Sequence, residues 1–134
     1  MYYISMQIAS VLTLIIGIQL LVTHFIAVEL YLYWSVWWMD ILMHFLGGIW
    51  LVSVWRTFID LGRISEARWT LRYILPMMIG IMIVWEIFGV YVEHGFKSGY
   101  IADTAGDLLC GIVGVLFGFW LLYRLQTLNN PVQD

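Results

Sequence analysis

Hydrophobic residues run along this chain in four long stretches, and polar residues gather in the short intervals between them. The stretches cover about residues 3–28, 39–59, 71–92 and 102–123; the intervals are 29–38, 60–70 and 93–101, and a polar tail follows at 126–134. Crossing a ~30 Å hydrocarbon core takes about 20 mostly apolar helical residues, so each stretch predicts a transmembrane helix. The first has no basic segment ahead of it and no small-residue cleavage site after it, and reads as a retained span, not a signal peptide. The expected fold is an all-α membrane protein, a four-transmembrane-helix bundle forming one domain over residues 1–134.

Composition agrees. Apolar types make up 63% of the chain and charged types 11%, against roughly 45–50% and about 25% in a soluble domain. A single cysteine, Cys110, rules out a disulfide scaffold within the chain, and six basic against nine acidic residues rule out a nucleic-acid module. The partner these numbers demand is the lipid bilayer. Arg56, Arg63, Arg68 and Arg72 surround the interval between the second and third spans, Arg124 closes the fourth, and only Lys97 lies on the other side. The positive-inside rule then places both termini in the cytoplasm, in a multi-pass protein of the cell (plasma or inner) membrane. Tyr31, Tyr33, Trp34, Trp37, Trp38, Phe96 and Tyr100 fall at the outer interface, and Trp55, Trp69, Tyr73, Trp120 and Tyr123 at the inner one. Anchoring is the plain reading of such rings.

With that orientation the ionisable residues fall into order. Asp40 and His44 open the second span, Glu86 lies in the outer half of the third with Glu93 and His94 at its end, and Asp103 and Asp107 open the fourth. Residues four apart share a helix face, and a charge turned to hydrocarbon costs about 2.5–3.5 kcal/mol or more. The polar stripes are therefore expected to face one another inside the bundle. Small residues continue them: Gly47 and Gly48 below the first pair, and Cys110, Gly111, Gly114 and Gly118 below the second, as close helix packing in lipid requires. The segments 40–49 and 103–112 also align without gaps, pairing Asp40 with Asp103, His44 with Asp107 and Gly48 with Gly111. Two parallel hairpins related by an axis along the membrane normal would bring these motifs face to face.

The candidate ligand-binding set is Asp40, His44, Glu86, Asp103 and Asp107. Asp40 and Asp103 also suit helix N-caps, whereas His44 and Asp107 lie about 6 Å further down their helices and need another reason. Glu93, His94 and Lys97 read as solvated loop-edge groups, His24 and Glu29 as interfacial, Asp60 and Glu66 as ordinary loop charges. Four carboxylates in a low-dielectric pocket cannot all stay ionised, so either protons are shared or a cation neutralises them. One histidine among carboxylates suits a divalent ion such as Mg²⁺, Mn²⁺ or Zn²⁺, with Asp40, His44, Glu86 and Asp107 as its ligands. A lipid head group with hydroxyls to offer is another occupant. A metal-assisted hydrolase of a lipid-linked substrate and a structural subunit packed against other membrane subunits are the alternatives. No nucleophile stands beside a base, so the chain leans away from enzymatic function, and residues 51–54 and 115–119 offer no evident proton relay.

The runs Trp37-Trp38-Met39-Asp40-Ile41-Leu42-Met43-His44-Phe45-Leu46-Gly47-Gly48, Trp85-Glu86-Ile87-Phe88 and Asp103-Thr104-Ala105-Gly106-Asp107-Leu108-Leu109 resemble the VanZ-like membrane proteins, and among them the YjdF-like branch. The resemblance covers about residues 37–120. Ile41 stands where VanZ-like proteins often carry a basic residue, Gly89 stands where a Glu-x-x-Gln pattern would place Gln, and no Arg-x-x-Ser precedes Asp103. Some VanZ-like proteins are associated with resistance to glycopeptide antibiotics at the cell envelope. For the YjdF-like branch the resemblance implies a fold and a polar site, and no particular activity.

Overall fold

A computed structural model describes residues 2–92 and 100–129, with side chains at 8–91 and 100–128. The described chain is helical, with α1 (Tyr2–Glu29), a short α2 (Leu32–Ser35), α3 (Met39–Asp60), a 3-10 turn (Glu66–Arg68), α4 (Leu71–Val92) and α5 (Tyr100–Asn129). α1, α3, α4 and α5 are each long and apolar enough to cross a membrane. The predicted starts and ends hold within a few residues except at the last helix. α5 continues through Gln126 to Asn129, where the sequence pattern places a polar tail. Apolarity stops at the edge of the hydrocarbon, but a helix satisfies its own backbone and need not stop there. Glu93, His94, Phe96, Lys97 and residues 130–134 lie outside the described residues.

Local signals explain the two short connections. α3 ends where Gly62 takes a left-handed φ of 69°. The Gly62 amide donates to the Ile59 carbonyl at 2.8 Å and the Arg63 amide to Phe58 at 2.9 Å. That is a Schellman cap, in which only glycine adopts the required φ without strain. It turns the chain sharply enough for Glu66 to return beside the end of α3. At the other connection Tyr31 adopts a positive φ of 55°, separating α1 from α2. α4 passes unbroken through Pro76 in its second turn.

α3 and α5 form the central pair and run parallel, with α1 packed chiefly on α3 and α4 chiefly on α5. Backbones touch where they cross. A Cβ on Gly48 would collide with the Gly111 carbonyl and come within 2.8 Å of the Val115 nitrogen. One on Gly114 would collide with the Phe45 carbonyl, and one on Gly118 would lie 3.1 Å from Ile49 Cα. The Gly48–Gly111 contact joins two positions that the internal alignment equates, as expected of paired parallel hairpins. Gly47 differs from the expectation: it faces open space, because the helix turns it about 100° away from Gly48. Beneath the crossing, Val52, Ile74, Met78 and Val115 are fully buried. Most of α1 and the outer faces of α4 and α5 expose Leu, Ile, Val, Phe and Trp. A helix apolar all round with most of that surface uncovered is what a lipid solvent permits.

Candidate functional site

The close α3–α5 crossing sets the depth and direction of the polar stripes above it. His44 lies one turn before Gly48 and Asp107 one turn before Gly111, so the contact that brings the glycines together also aims these side chains at each other. Three carboxylates surround one ring nitrogen. His44 Nε2 stands 3.5 Å from Asp40 Oδ1, 3.6 Å from Glu86 Oε1 and 3.8 Å from Asp107 Oδ2. These oxygens come from α3, α4 and α5, so the cluster exists only in the assembled bundle. Thr104, on α5, donates to Glu86 Oε2 at 3.2 Å, and the Tyr100 hydroxyl donates to the Glu86 carbonyl at 3.2 Å. Both bonds tie the start of α5 to α4, and the Thr104 bond holds the Glu86 carboxylate.

Burial is graded. The Asp107 side chain is 7% exposed, those of Glu86 and His44 are 13% and 14%, and that of Asp40 is 41%. Asp40 is thus the open edge of the cluster and Asp107 its floor. Asp40, His44 and Asp107 offer donor atoms that all lie within 4.8 Å of one another. Of the five residues singled out by sequence, Asp40, Glu86 and Asp107 therefore gather around the Nε2 of a fourth, His44, while Asp103 stands exposed in the first turn of α5. The separations carry a chemical message. A neutral imidazole donates at most one proton from Nε2, and a hydrogen bond to it would measure about 2.7–3.2 Å. All three oxygens stand beyond that range, so the acidic groups are gathered around His44 without being bonded to it.

Four hydrophobic helices and this polar cluster are the features the chain has to match. A family model described as a predicted membrane protein (DUF2238) matches residues 1–128. The chain belongs to that family. No curated protein and no solved structure matches it. The chain is an integral membrane protein, and its surroundings are the lipid bilayer.

The DUF2238 chain also holds polar groups that its sequence did not single out. At the opposite end of α3, Arg56 donates from Nε to Asp60 Oδ1 at 2.8 Å and from Nη1 to Glu66 Oε1 at 2.6 Å, with Nη2 2.6 Å from Asp60 Oδ1. Its guanidinium lies over the Trp69 ring, 5.2 Å from the centroid. Asp60 and Glu66 are thus partners of a buried arginine, not free loop charges. The i,i+4 spacing of Arg56 and Asp60, with Gly62 to reverse the chain, was the available signal. Further along, Thr13 on α1 donates to Ser53 at 3.1 Å and pairs with Thr57 at 3.1 Å, and Trp50 donates to the Thr13 carbonyl at 3.0 Å. Residues 51–54 therefore do carry a buried polar group, Ser53. It is nine residues from His44, which is about half a turn out of phase, so it faces α1 and does not extend the His44 cluster.

His24 also has a partner: its Nδ1 lies 2.9 Å from the Tyr33 hydroxyl on α2. Burial, and after it the nearby Asp40 carboxylate, hold the Tyr33 phenol above its usual pKa. Tyr33 and Trp69, expected only as interfacial anchors, each take a place beside a charged group.

Proposed function

We propose that this protein binds a polar ligand in a carboxylate–histidine pocket that opens at the outer face of the membrane. The ligand class is a cation, or a head group that presents ammonium or hydroxyl donors. The observation that carries this reading is the gathering of Asp40, Glu86 and Asp107 from three helices around His44 Nε2 at 3.5–3.8 Å. Acidic oxygens held together without a shared donor are unfavourable in a low-dielectric site, and a ligand that brings positive charge or protons relieves them. Asp40, the exposed edge, provides the entrance.

Orientation follows from charge. Arg63, Arg68, Arg72 and Arg124 are all exposed at the end opposite the pocket, which supports cytoplasmic termini and an outward pocket in the plasma or inner membrane. The Asp40–His44, Glu86 and Asp103–Asp107 blocks support kinship with VanZ-like proteins of the YjdF-like branch, and the chain acts as one transmembrane domain. Binding, not turnover, is the role these groups support.

The test is a melting assay on the purified protein with divalent ions, ethanolamine, choline, glycerol and simple sugars. At least one class is expected to raise the melting temperature of the wild type, with the rise lost in Asp107→Asn and His44→Ala. Equal responses in wild type and both variants across the whole panel would contradict the proposal.

A further inference from the structure

Resting on that reading, we infer that the occupant is a single divalent transition ion, of the Zn²⁺ or Mn²⁺ class, bound by Asp40 Oδ1, His44 Nε2 and Asp107 Oδ2. Three observations point there, and each concerns a different property of the site.

The first is spacing. Two donors bound about 2.0–2.2 Å from one ion at tetrahedral angles stand roughly 3.3–3.6 Å apart. His44 Nε2 lies 3.5 Å from Asp40 Oδ1 and 3.8 Å from Asp107 Oδ2. These separations are too wide for hydrogen bonds and close to those of atoms sharing an ion. All three donor atoms fall within 4.8 Å of one another, so small side-chain rotations bring them to a common ion.

The second is a buried acid that faces His44 without a hydrogen-bond donor. The Asp107 side chain is only 7% exposed, yet among the described residues no hydrogen-bond donor reaches it, and the His44 ring nitrogen stops at 3.8 Å. A buried carboxylate is ordinarily satisfied by two or more donors. This one points at His44 and Asp40 instead, the position of a ligand atom whose partner is an ion.

The third is charge and donor type. The two aspartates offset a divalent charge, and a neutral imidazole leaves the sum at zero. An imidazole with two carboxylates suits Zn²⁺ or Mn²⁺ better than Ca²⁺ or Mg²⁺, which favour all-oxygen sets. Glu86 differs from the other acids because Thr104 already donates to one of its oxygens. It stands beside the ion, able to accept a proton from a bound water or to orient one. Three protein ligands leave a coordination position facing the exposed side of Asp40, where water or a polar ligand from outside would complete the sphere.

The experiment uses the full chain in detergent micelles, stripped with a chelator and titrated with Zn²⁺ alone, Mn²⁺ alone and Mg²⁺ alone. Calorimetry gives stoichiometry and affinity, and melting gives an independent readout. One Zn²⁺ or Mn²⁺ per chain is expected, with a raised melting temperature and weaker binding of Mg²⁺. His44→Ala should weaken affinity by more than about 100-fold, beyond the effect of losing an outer-shell partner. Asp107→Asn and Asp40→Asn should each weaken it about tenfold or more, and the melting curve of each ion-free variant checks that the fold is kept. Glu66→Gln, at the opposite end of the bundle, should bind as the wild type does. No saturable binding of either ion, or binding that all three ligand variants retain, overturns the inference. If choline, ethanolamine or a sugar still raises the wild-type melting temperature and fails to raise that of Asp107→Asn, the pocket stands and only its metal is rejected. If neither ion nor organic ligand acts, both readings fail.

Discussion

α3 carries a polar cluster at each end, and the two are built on opposite principles. Around Arg56 the contacts are short, 2.6–2.8 Å, and the guanidinium meets two carboxylates and the face of Trp69. Around His44 three carboxylate oxygens stand off at 3.5–3.8 Å, and acid outnumbers base. Arg56 and Asp60 are neighbours on one helix, and Glu66 arrives by a short capped turn, so the clamp is local. The His44 cluster draws on α3, α4 and α5 and depends on how the bundle packs. A cluster in which a cation bonds its carboxylates directly holds a fold together, even with Asp60 Oδ2 and Trp69 Nε1 buried and unbonded. One in which three acids face a single imidazole without a direct bond leaves room for a further positive group.

The contrast can be broken most forcefully at the clamp. Arg56→Ala leaves the Asp60 carboxylate, 4% exposed, without its partner, and the expected loss of stability is about 3–5 kcal/mol in a reversible detergent unfolding titration. A loss below about 1 kcal/mol would place Arg56 among ordinary surface pairs and end the comparison.

A second substitution separates the clusters by their construction. Gly114→Val drives a side chain into the Phe45 carbonyl and should cost about 3 kcal/mol, the upper end for overpacking. It should also abolish ligand-dependent melting, because α5 carries Asp107. Quenching of Trp69 fluorescence, in a background lacking the other tryptophans, should report an unchanged Arg56 end. Retained ligand response would mean that the crossing does not position the site.

The finest distinction comes from one chemical change made twice. Asp60→Asn removes the charge that two Arg56 nitrogens contact and should lose about 2 kcal/mol. Asp107→Asn removes a buried charge with no donor and, without ligand, should change stability by less than about 1 kcal/mol in either direction. Similar losses at both positions would make the His44 cluster a second structural clamp.

Much of this arrangement was legible before any coordinates. The four spans follow from apolar runs whose ends are marked by charge, and the α3–α5 pairing from an alignment that equates His44 with Asp107 and Gly48 with Gly111. Small residues and stripes lie on the same helix faces, so a correct reading of one carried the other. The failures have physical causes as well. Gly47 was grouped with Gly48 because neighbouring residues look alike in sequence while pointing about 100° apart on a helix. Arg56 was counted with the loop arginines because its burial depends on Gly62 folding the chain back, a tertiary event. Ser53 disappeared into an apolar run because a single hydroxyl scarcely changes hydropathy, although Thr13 and the Trp50 carbonyl give it partners. Asp103 matches Asp40 in sequence position and stands exposed at the start of α5, within electrostatic reach of Glu86 and Asp107.

The most direct measurement is an experimental density map of the His44 cluster at a resolution that shows ordered ions and waters, from protein purified without chelator. A non-protein peak is expected among His44 Nε2, Asp40 Oδ1 and Asp107 Oδ2, about 2.0–2.2 Å from each. A map in which His44 is hydrogen-bonded directly to one carboxylate at about 2.8 Å, with the other acids paired to each other and no density between them, would contradict it.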